Sequence, residues 1–266
     1  MSRRRDLKLK LDGLKEIEGI MAAMKSLAFM ETRKLSSFLH AQQQAVRSIE
    51  AAAADFMNFY GSAARNVDEI VLLIGSERGL CGDFNERLLL NAATDKPIIA
   101  IGSRLESKIP DRLALLPGAN VAEEVESVMT GVINLFSKLQ AEQPRESVIG
   151  ITAFYHSDES GGVRMRRLLP LSRTSGKLHA YPPLLNLDPP EFFEKLSEHY
   201  LYAALHEALY SSLMVENRYR LDHMESAMHQ LGRKIGQLGT QHNRLRQEEI
   251  TEEIEVIMLS VEALRA

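Results

Sequence analysis

Two stretches at opposite ends of the 266-residue chain hold no proline and keep apolar residues in helical time. From Asp6 to Phe59, the residues Leu7, Leu11, Leu14, Ile17, Met21, Met24 and Ala28 are spaced by threes and fours. The pattern blurs across "METRKL" and Gln42 to Gln44, then resumes at Val46, Ile49, Ala53 and Phe56. At 1.5 Å per residue, ~54 residues make a helix of about 80 Å, roughly twice the width of a compact domain of this size. A helix that long cannot hide its apolar stripe without a partner helix.

The partner is at the other end of the chain. After "DPP" (Asp188 to Pro190), Leu221, Met224, Met228, Leu231, Ile235, Leu238, His242 and Leu245 repeat at alternating threes and fours, a heptad seam. Beyond Leu245 the stripe slips by one residue and continues through Ile250, Ile254, Ile257, Val261 and Leu264. Such a slip changes the local winding of a supercoil. The two helices can close as an antiparallel pair if a globular insert joins them, an order expected to bring Met24 near the level of His242 to Gln247.

The middle, about Asp68 to Leu171, supplies the insert. "DEIVLLIG" and "KPIIAIG" read as buried strands with the helix "NERLLLNAAT" between them, and "VAEEVESVMTGVINLFSKL" as an amphipathic helix. "SVIGITAFYHS" and "VRMRRLLPL" follow as a hairpin turning at "DESGG". The expected fold is α/β: a small Rossmann-like domain with a mixed sheet, carrying a long antiparallel coiled coil. The expected division is a shaft helix over 1–60, a foot domain over 61–190 and a second shaft helix over 191–266.

The formal net charge of −4 calls for neither nucleic acid nor an anionic membrane, and "SRRR" reads as the solvated start of a helix. No apolar run is long enough to span a bilayer, and no secretory signal is expected behind "MSRRRDLKLKLDG". A lone cysteine forms no internal disulfide and suits a reducing compartment.

"IGSERGLCGDFNERLLL" (Ile74 to Leu90) has the look of an enzyme loop: strand, glycines, cysteine, helix. Its glycines, Gly75, Gly79 and Gly82, miss the G-x-G-x-x-G spacing that lets backbone approach a pyrophosphate. A P-loop lysine is missing. Asp83 stands where a nucleophile elbow around Cys81 needs a small residue. Cys81 therefore reads as a packing group, with a cysteine hydrolase as the rival reading. The pairs His223/His229 and His199/His206 lack metal-ligand spacing, and the carboxylates of "RQEEITEEIE" spread round a helix as a charged contact face. No catalytic residue, cofactor or metal site is expected.

Four segments resemble a known family. "SERGLCGDFNERLL" is similar to the "S-D-R-G-L-C-G-x-x-N" segment of the γ subunit of F-type ATP synthases. "IMAAMKSLAFMETRKL" (Ile20 to Leu35) resembles its "I-T-K-A-M-K-M-V-A-A-x-K-L", and "HNRLRQEEITEEIEVI" its "Y-N-K-A-R-Q-A-x-I-T-Q-E-L-T-E-I". "ENRYRLDHMESAMHQ" follows the family's "SE-x-x-x-R-M-x-A-M-x-x-A".

The resemblance implies a non-catalytic central stalk that binds no nucleotide. Its helix pair would lie in a ring of three α and three β subunits, and its foot on the membrane c-ring beside an ε subunit, at the cytoplasmic face of a bacterial inner membrane. It also implies subunit-contact roles for Met24, Lys25, Arg246, Gln247, Thr251 and Glu253, the last four contacting the catalytic ring or bracing Met24's level. Arg78, Gly79, Cys81 and Gly82 match the foot-domain loop.

Glu16, Glu18, Ala22, Ser26 and Asp83-Phe84 depart from the usual pattern, and no chloroplast-type cysteine insertion is present. The chain thus reads as a divergent member, of the kind a second F-type enzyme would carry. A coiled-coil tether without a rotary role is the other alternative. Gly232, Gly236 and Gly239 share one face of the C-terminal helix. Each costs about 1 kcal/mol against alanine. They are expected to give clearance to the N-terminal helix or to surrounding subunits, a bent or frayed stretch being the alternative.

Overall fold

The computed structural model describes residues 2–61, 67–92, 95–142, 148–159, 161–171 and 181–263. Leu264 of the C-terminal stripe, Thr94, Ser147 and Ser160 lie outside them. The elements run α1 (Ser2–Tyr60), β1 (Val67–Ile74), α2 (Phe84–Asn91), β2 (Ile98–Ile101), β3 (Ala114–Leu116), α3 (Val125–Glu142), β4 (Val148–Ser157), β5 (Gly162–Leu169) and α4 (Pro189–Ala263). The chain forms two compact units, one of Met1–Leu27 with Asp222–Ala266 and one of Ala28–Leu221.

The first unit is an antiparallel helix pair. Met224, Met228, Leu231, Ile235, Leu238, His242 and Leu245 are all buried or half-buried, as the heptad pattern requires, and so are Leu7, Leu11, Leu14, Met21 and Met24 of α1. Ile17 is the exception at 48% exposure; Glu18 takes the half-buried position. Register is set by the ion pair of Arg4 with Glu249 and by Lys25 with Glu225 at 3.2 Å.

That register corrects one expectation. Met24 stands at the level of Glu225 to Met228, and the His242–Gln247 level falls opposite the first turns of α1. The offset of roughly 18 residues is about 27 Å along the axis. A heptad stripe looks the same after each shift of seven residues, so periodicity establishes pairing but not register.

A second correction follows. Glu249 stands opposite Arg4, in the first turn of α1 as described. Ile250, Ile254, Ile257 and Val261 are 45–61% exposed, and among the described residues the stripe beyond Ile250 is not covered by α1. The glycines differ too. A side chain at Gly236 or Gly239 would meet nothing within 4 Å, and one at Gly232 only Glu18 at 4.0 Å. Close approach of the N-terminal helix is not their reason.

The second unit is built on a five-stranded sheet of order β3-β2-β1-β4-β5. The first four strands are parallel and β5 returns antiparallel to β4. β1 is paired on both edges, and Ile70 to Ile74 are buried without alternation, the pattern of a central parallel strand. One face, with Leu72, Ile74, Ile99, Ile101, Ile151 and Ala153, packs against the C-terminal half of α1, α3 and the first half of α4. On the other face the short α2 places Leu88 over Val71, Leu73 and Ala100.

The blurred part of the N-terminal stripe is a continuous seam here. Leu35 and Leu39 are buried, and Gln42 fills the next position by donating from Nε2 to the Ala203 carbonyl at 3.1 Å. β3 is the strand that pattern reading misses; three residues are too few for any period to show.

Candidate functional site

The loop after β1 is closed upon itself. Gly75 has no room for a side chain, since a Cβ would stand 2.6 Å from Leu105 and 2.9 Å from Asn85 Oδ1. The Ser76 amide donates to Asn85 Oδ1 at 3.0 Å, and Asn85 Nδ2 donates to Ser76 Oγ at 2.7 Å. Leu80 (φ 66°) and Gly82 (φ 58°) take left-handed conformations around Cys81, which leaves Leu80 45% exposed.

Cys81 is buried, and its thiol faces Ser76 Oγ at 3.4 Å and the Arg78 carbonyl at 3.7 Å. Burial pushes the thiol pKa up, and the nearby Glu216 carboxylate adds to the rise. A thiol held protonated is a poor nucleophile. The buried imidazole of His156 stacks on Phe84, with Nε2 at 2.9 Å from the Phe84 carbonyl. Burial lowers its pKa. The geometry supports Cys81 as a packing group.

The loop owes its enzyme-like look to an anion cradle that the chain fills itself. In α/β folds, anions bind where helix and loop amides gather at the carboxyl ends of parallel strands. Here the Glu77 carboxylate occupies that place. It accepts from the Ser103 amide at 2.9 Å, Ser103 Oγ at 2.7 Å and the Gly118 amide at 2.7 Å. Partial burial pushes its pKa up, but these donors, helped by Arg104, outweigh it and hold the carboxyl below its ordinary value.

Two side chains of α4, Glu216 and Arg220, clasp the loop from behind. Glu216 accepts from the backbone amides of Arg78 and Glu77 and pairs with Arg220. Arg220 donates to Asn217 Oδ1 at 2.6 Å and from Nε to the Gly79 carbonyl at 3.4 Å. The Glu216 and Arg220 side chains are 4% and 6% exposed. Burial pushes the Glu216 carboxyl up to about 7 against the pull of Arg220 and the amides. So the "SERGLCG" segment and "ENRYR", distant in sequence, form one structure. Arg78 and Gly79 hold it through backbone atoms, while the Arg78 side chain is exposed. Glu216 and Arg220 were missed by sequence reasoning, which took "ENRYR" only as part of a segment resembling the family; their i, i+4 spacing gives no signal of burial.

The expected contact residues of the helix pair lie at two separate levels. Met24 and Lys25 are half-buried, with Lys25 paired to Glu225. Arg246, Gln247, Thr251 and Glu253 are exposed, and Thr251 Oγ1 donates to the Gln247 carbonyl at 2.9 Å. The fold does not bring the two groups together, so the second cannot brace the first.

A family model described as ATP synthase matches residues 3–264, both long helices and the sheet included. The chain belongs to this family. A curated ATP synthase gamma chain from Aliarcobacter butzleri is 28% identical over 305 residues, covering 100% of each chain. The rotor of the Euglena gracilis mitochondrial ATP synthase in rotational state 1 matches in structure with a TM-score of 0.63 at 16% identity, over 94% of this chain and 99% of that one. A chain of the same organism's OSCP/F1/c-ring assembly in rotational state 3 gives 0.64 at 15% identity, over 99% and 95%. At such identities the likeness is one of fold, and it extends through the sheet and both long helices. The glycine-rich loop is thus a feature of an ATP synthase family member whose converging Ser103 and Gly118 donors hold a carboxylate of its own chain.

Proposed function

We propose that the chain is the central-stalk rotor, the γ subunit, of an F-type ATP synthase. It transmits torque between a membrane c-ring and a catalytic α3β3 ring, and so couples ion translocation to ATP synthesis or hydrolysis. The observation that carries this reading is a family match running without interruption from one end of the helix pair, through the sheet, to the other. The subunit is not itself the catalyst. By offering each β subunit a different face at each angle, it shifts that subunit's conformational equilibrium in turn.

In this reading 1–60 and 191–266 serve as shaft and 61–190 as foot. Met24 and Lys25 meet the catalytic ring at one level and Arg246, Gln247, Thr251 and Glu253 at another. The exposed apolar end of α4, with Ile254, Ile257 and Val261, suits enclosure by that ring. The foot meets the c-ring and an ε subunit, at the cytoplasmic face of a bacterial inner membrane.

Reconstitution with the α, β, ε and c subunits of an F-type ATP synthase tests the proposal. Assembly with ATP-driven ion pumping is the expected result. A chain that purifies without α and β and leaves their ATPase unchanged would be a tether instead.

A further inference from the structure

A closed circuit of alternating charge fastens the sheet to both long helices within the second unit. Arg166 of β5 has a side chain only 10% exposed, paired with Glu207 of α4 and, at 2.5 Å, with Glu50 of α1. Arg164, on the same side of β5, lies 3.8 Å from Glu207 and 3.7 Å from Glu159 of the β4–β5 turn. Glu159 in turn meets Arg47 of α1 at 3.0 Å. The Tyr200 hydroxyl of α4 closes on Glu50 at 3.4 Å. The circuit leaves α1 at Arg47, crosses the turn, β5 and α4, and comes back to α1 at Glu50.

Its purpose is not obvious from stability. Buried ion pairs contribute little net free energy, and apolar replacements of similar size are often neutral or stabilising. The same face of the sheet already rests on a large apolar core. Apolar burial, however, is non-directional. Charge-assisted hydrogen bonds with a planar guanidinium fix relative position.

We propose that Arg166 is a positioning residue for torque transfer: it locks β5 to α1 and α4, so that a load on the sheet turns both helices instead of sliding over them. The proposal rests on the rotor reading. Its test uses the reconstituted complex with Arg166→Met and with the double variant Arg166→Met, Glu207→Met, which removes the buried Glu207 carboxylate and leaves only Glu50, 39% exposed and within reach of the Tyr200 hydroxyl, without its cation. Three quantities are measured: ATP hydrolysis, ions pumped per ATP, and the angular spread of a probe fixed to the sheet while the α3β3 ring is immobilised. Both variants are expected to assemble and hydrolyse ATP, with a wider angular spread and fewer ions pumped per ATP. Arg166→Lys, which keeps the charge but not the fork, should fall between them and wild type. A double variant with wild-type spread and pumping overturns the proposal. So does one that fails to fold, because the circuit would then be holding the fold and not the load. A wild-type chain that does not assemble with α and β overturns the rotor reading instead.

Discussion

Glutamine at Glu216 should make the chain more stable at neutral pH, although it removes one half of a buried ion pair. The carboxyl is nearly enclosed, and burial raises its pKa from 4.5 to about 7 in spite of Arg220 and two backbone amides. A folded-state pKa above the unfolded one contributes stability that is fully present below the unfolded value and lost as pH rises through the folded one. The window is therefore pH 4.5 to 7. At about 1.4 kcal/mol for each pH unit, that gap amounts to about 3 kcal/mol lost by wild type on going from pH 4 to pH 8. Glutamine is close in shape to the protonated carboxyl and does not titrate. Glu216→Gln should match wild type near pH 4 and exceed it by up to about 3 kcal/mol at pH 8.

Urea unfolding of both chains at a series of pH values, followed by circular dichroism, reads this difference directly. His156 and His206, whose burial lowers their pKa, produce the opposite slope, but they are common to both chains and cancel in the difference. A Glu216→Gln chain less stable than wild type at pH 8 refutes the reasoning. It would mean that Arg220 and the amides outweigh burial, and that the clasp is an ion pair with an ordinary acidic titration.

Cys81→Ser should leave assembly and the ATPase of the complex largely intact at a cost of about 1–2 kcal/mol in chain stability; an assembled but inactive complex would revive the nucleophile. Asn85→Ala strands the Ser76 amide and should cost about 1–3 kcal/mol in urea unfolding, where an unchanged midpoint would show that the loop is not closed by this pair. Cysteines at Lys25 and Glu225 should join through a short thiol crosslinker, whereas cysteines at Met24 and across His242–Gln247 should not; the reverse result would restore the other register. Alanine at Gly232, Gly236 and Gly239 should each stabilise the chain by up to about 1 kcal/mol. Gly236→Leu should fold normally, so any loss of ion pumping it causes reports on clearance toward a partner.

How far the sequence could be read depended on whether the deciding interaction was local. The seam from Leu221 to Leu245 repeats within each turn or two, so periodicity places every one of its residues correctly. Strands β1, β2, β4 and β5 were legible for the same reason, each being an apolar or alternating run between turn residues. Register was not legible, because sliding by a heptad preserves the stripe; the pairs Arg4 with Glu249 and Lys25 with Glu225 distinguish one alignment from the next. The stripe past Leu245 shows the same limit. Ile250, Ile254 and Ile257 announce a contact, but the sequence does not show where the partner helix ends. The clasp was illegible for a further reason. Glu216 and Arg220 have the spacing of any solvated i, i+4 pair, and only the loop folding over them makes them a buried site.

The loop itself shows why a motif that nearly fits can mislead. Its glycines, its place after a parallel strand and the helix that follows are what an anion site needs, and spacing alone argued against one. The structure explains both the likeness and the failure. Amides of Ser103 and Gly118 do converge as they would on a phosphate, and the group they hold is Glu77. A tethered carboxylate competes at a very high effective concentration, so a free anion would have to displace it. The acid at the position after Ser76 is therefore the informative residue of the segment, more so than its glycines or its cysteine. In the resembling family segment that position is also acidic, an aspartate. What the cradle then supplies is fixed geometry. Glu77 ties β1 to the loops after β2 and β3, while Glu216 and Arg220 tie the same loop to α4, so the strand ends and the helix behind them are held as one piece.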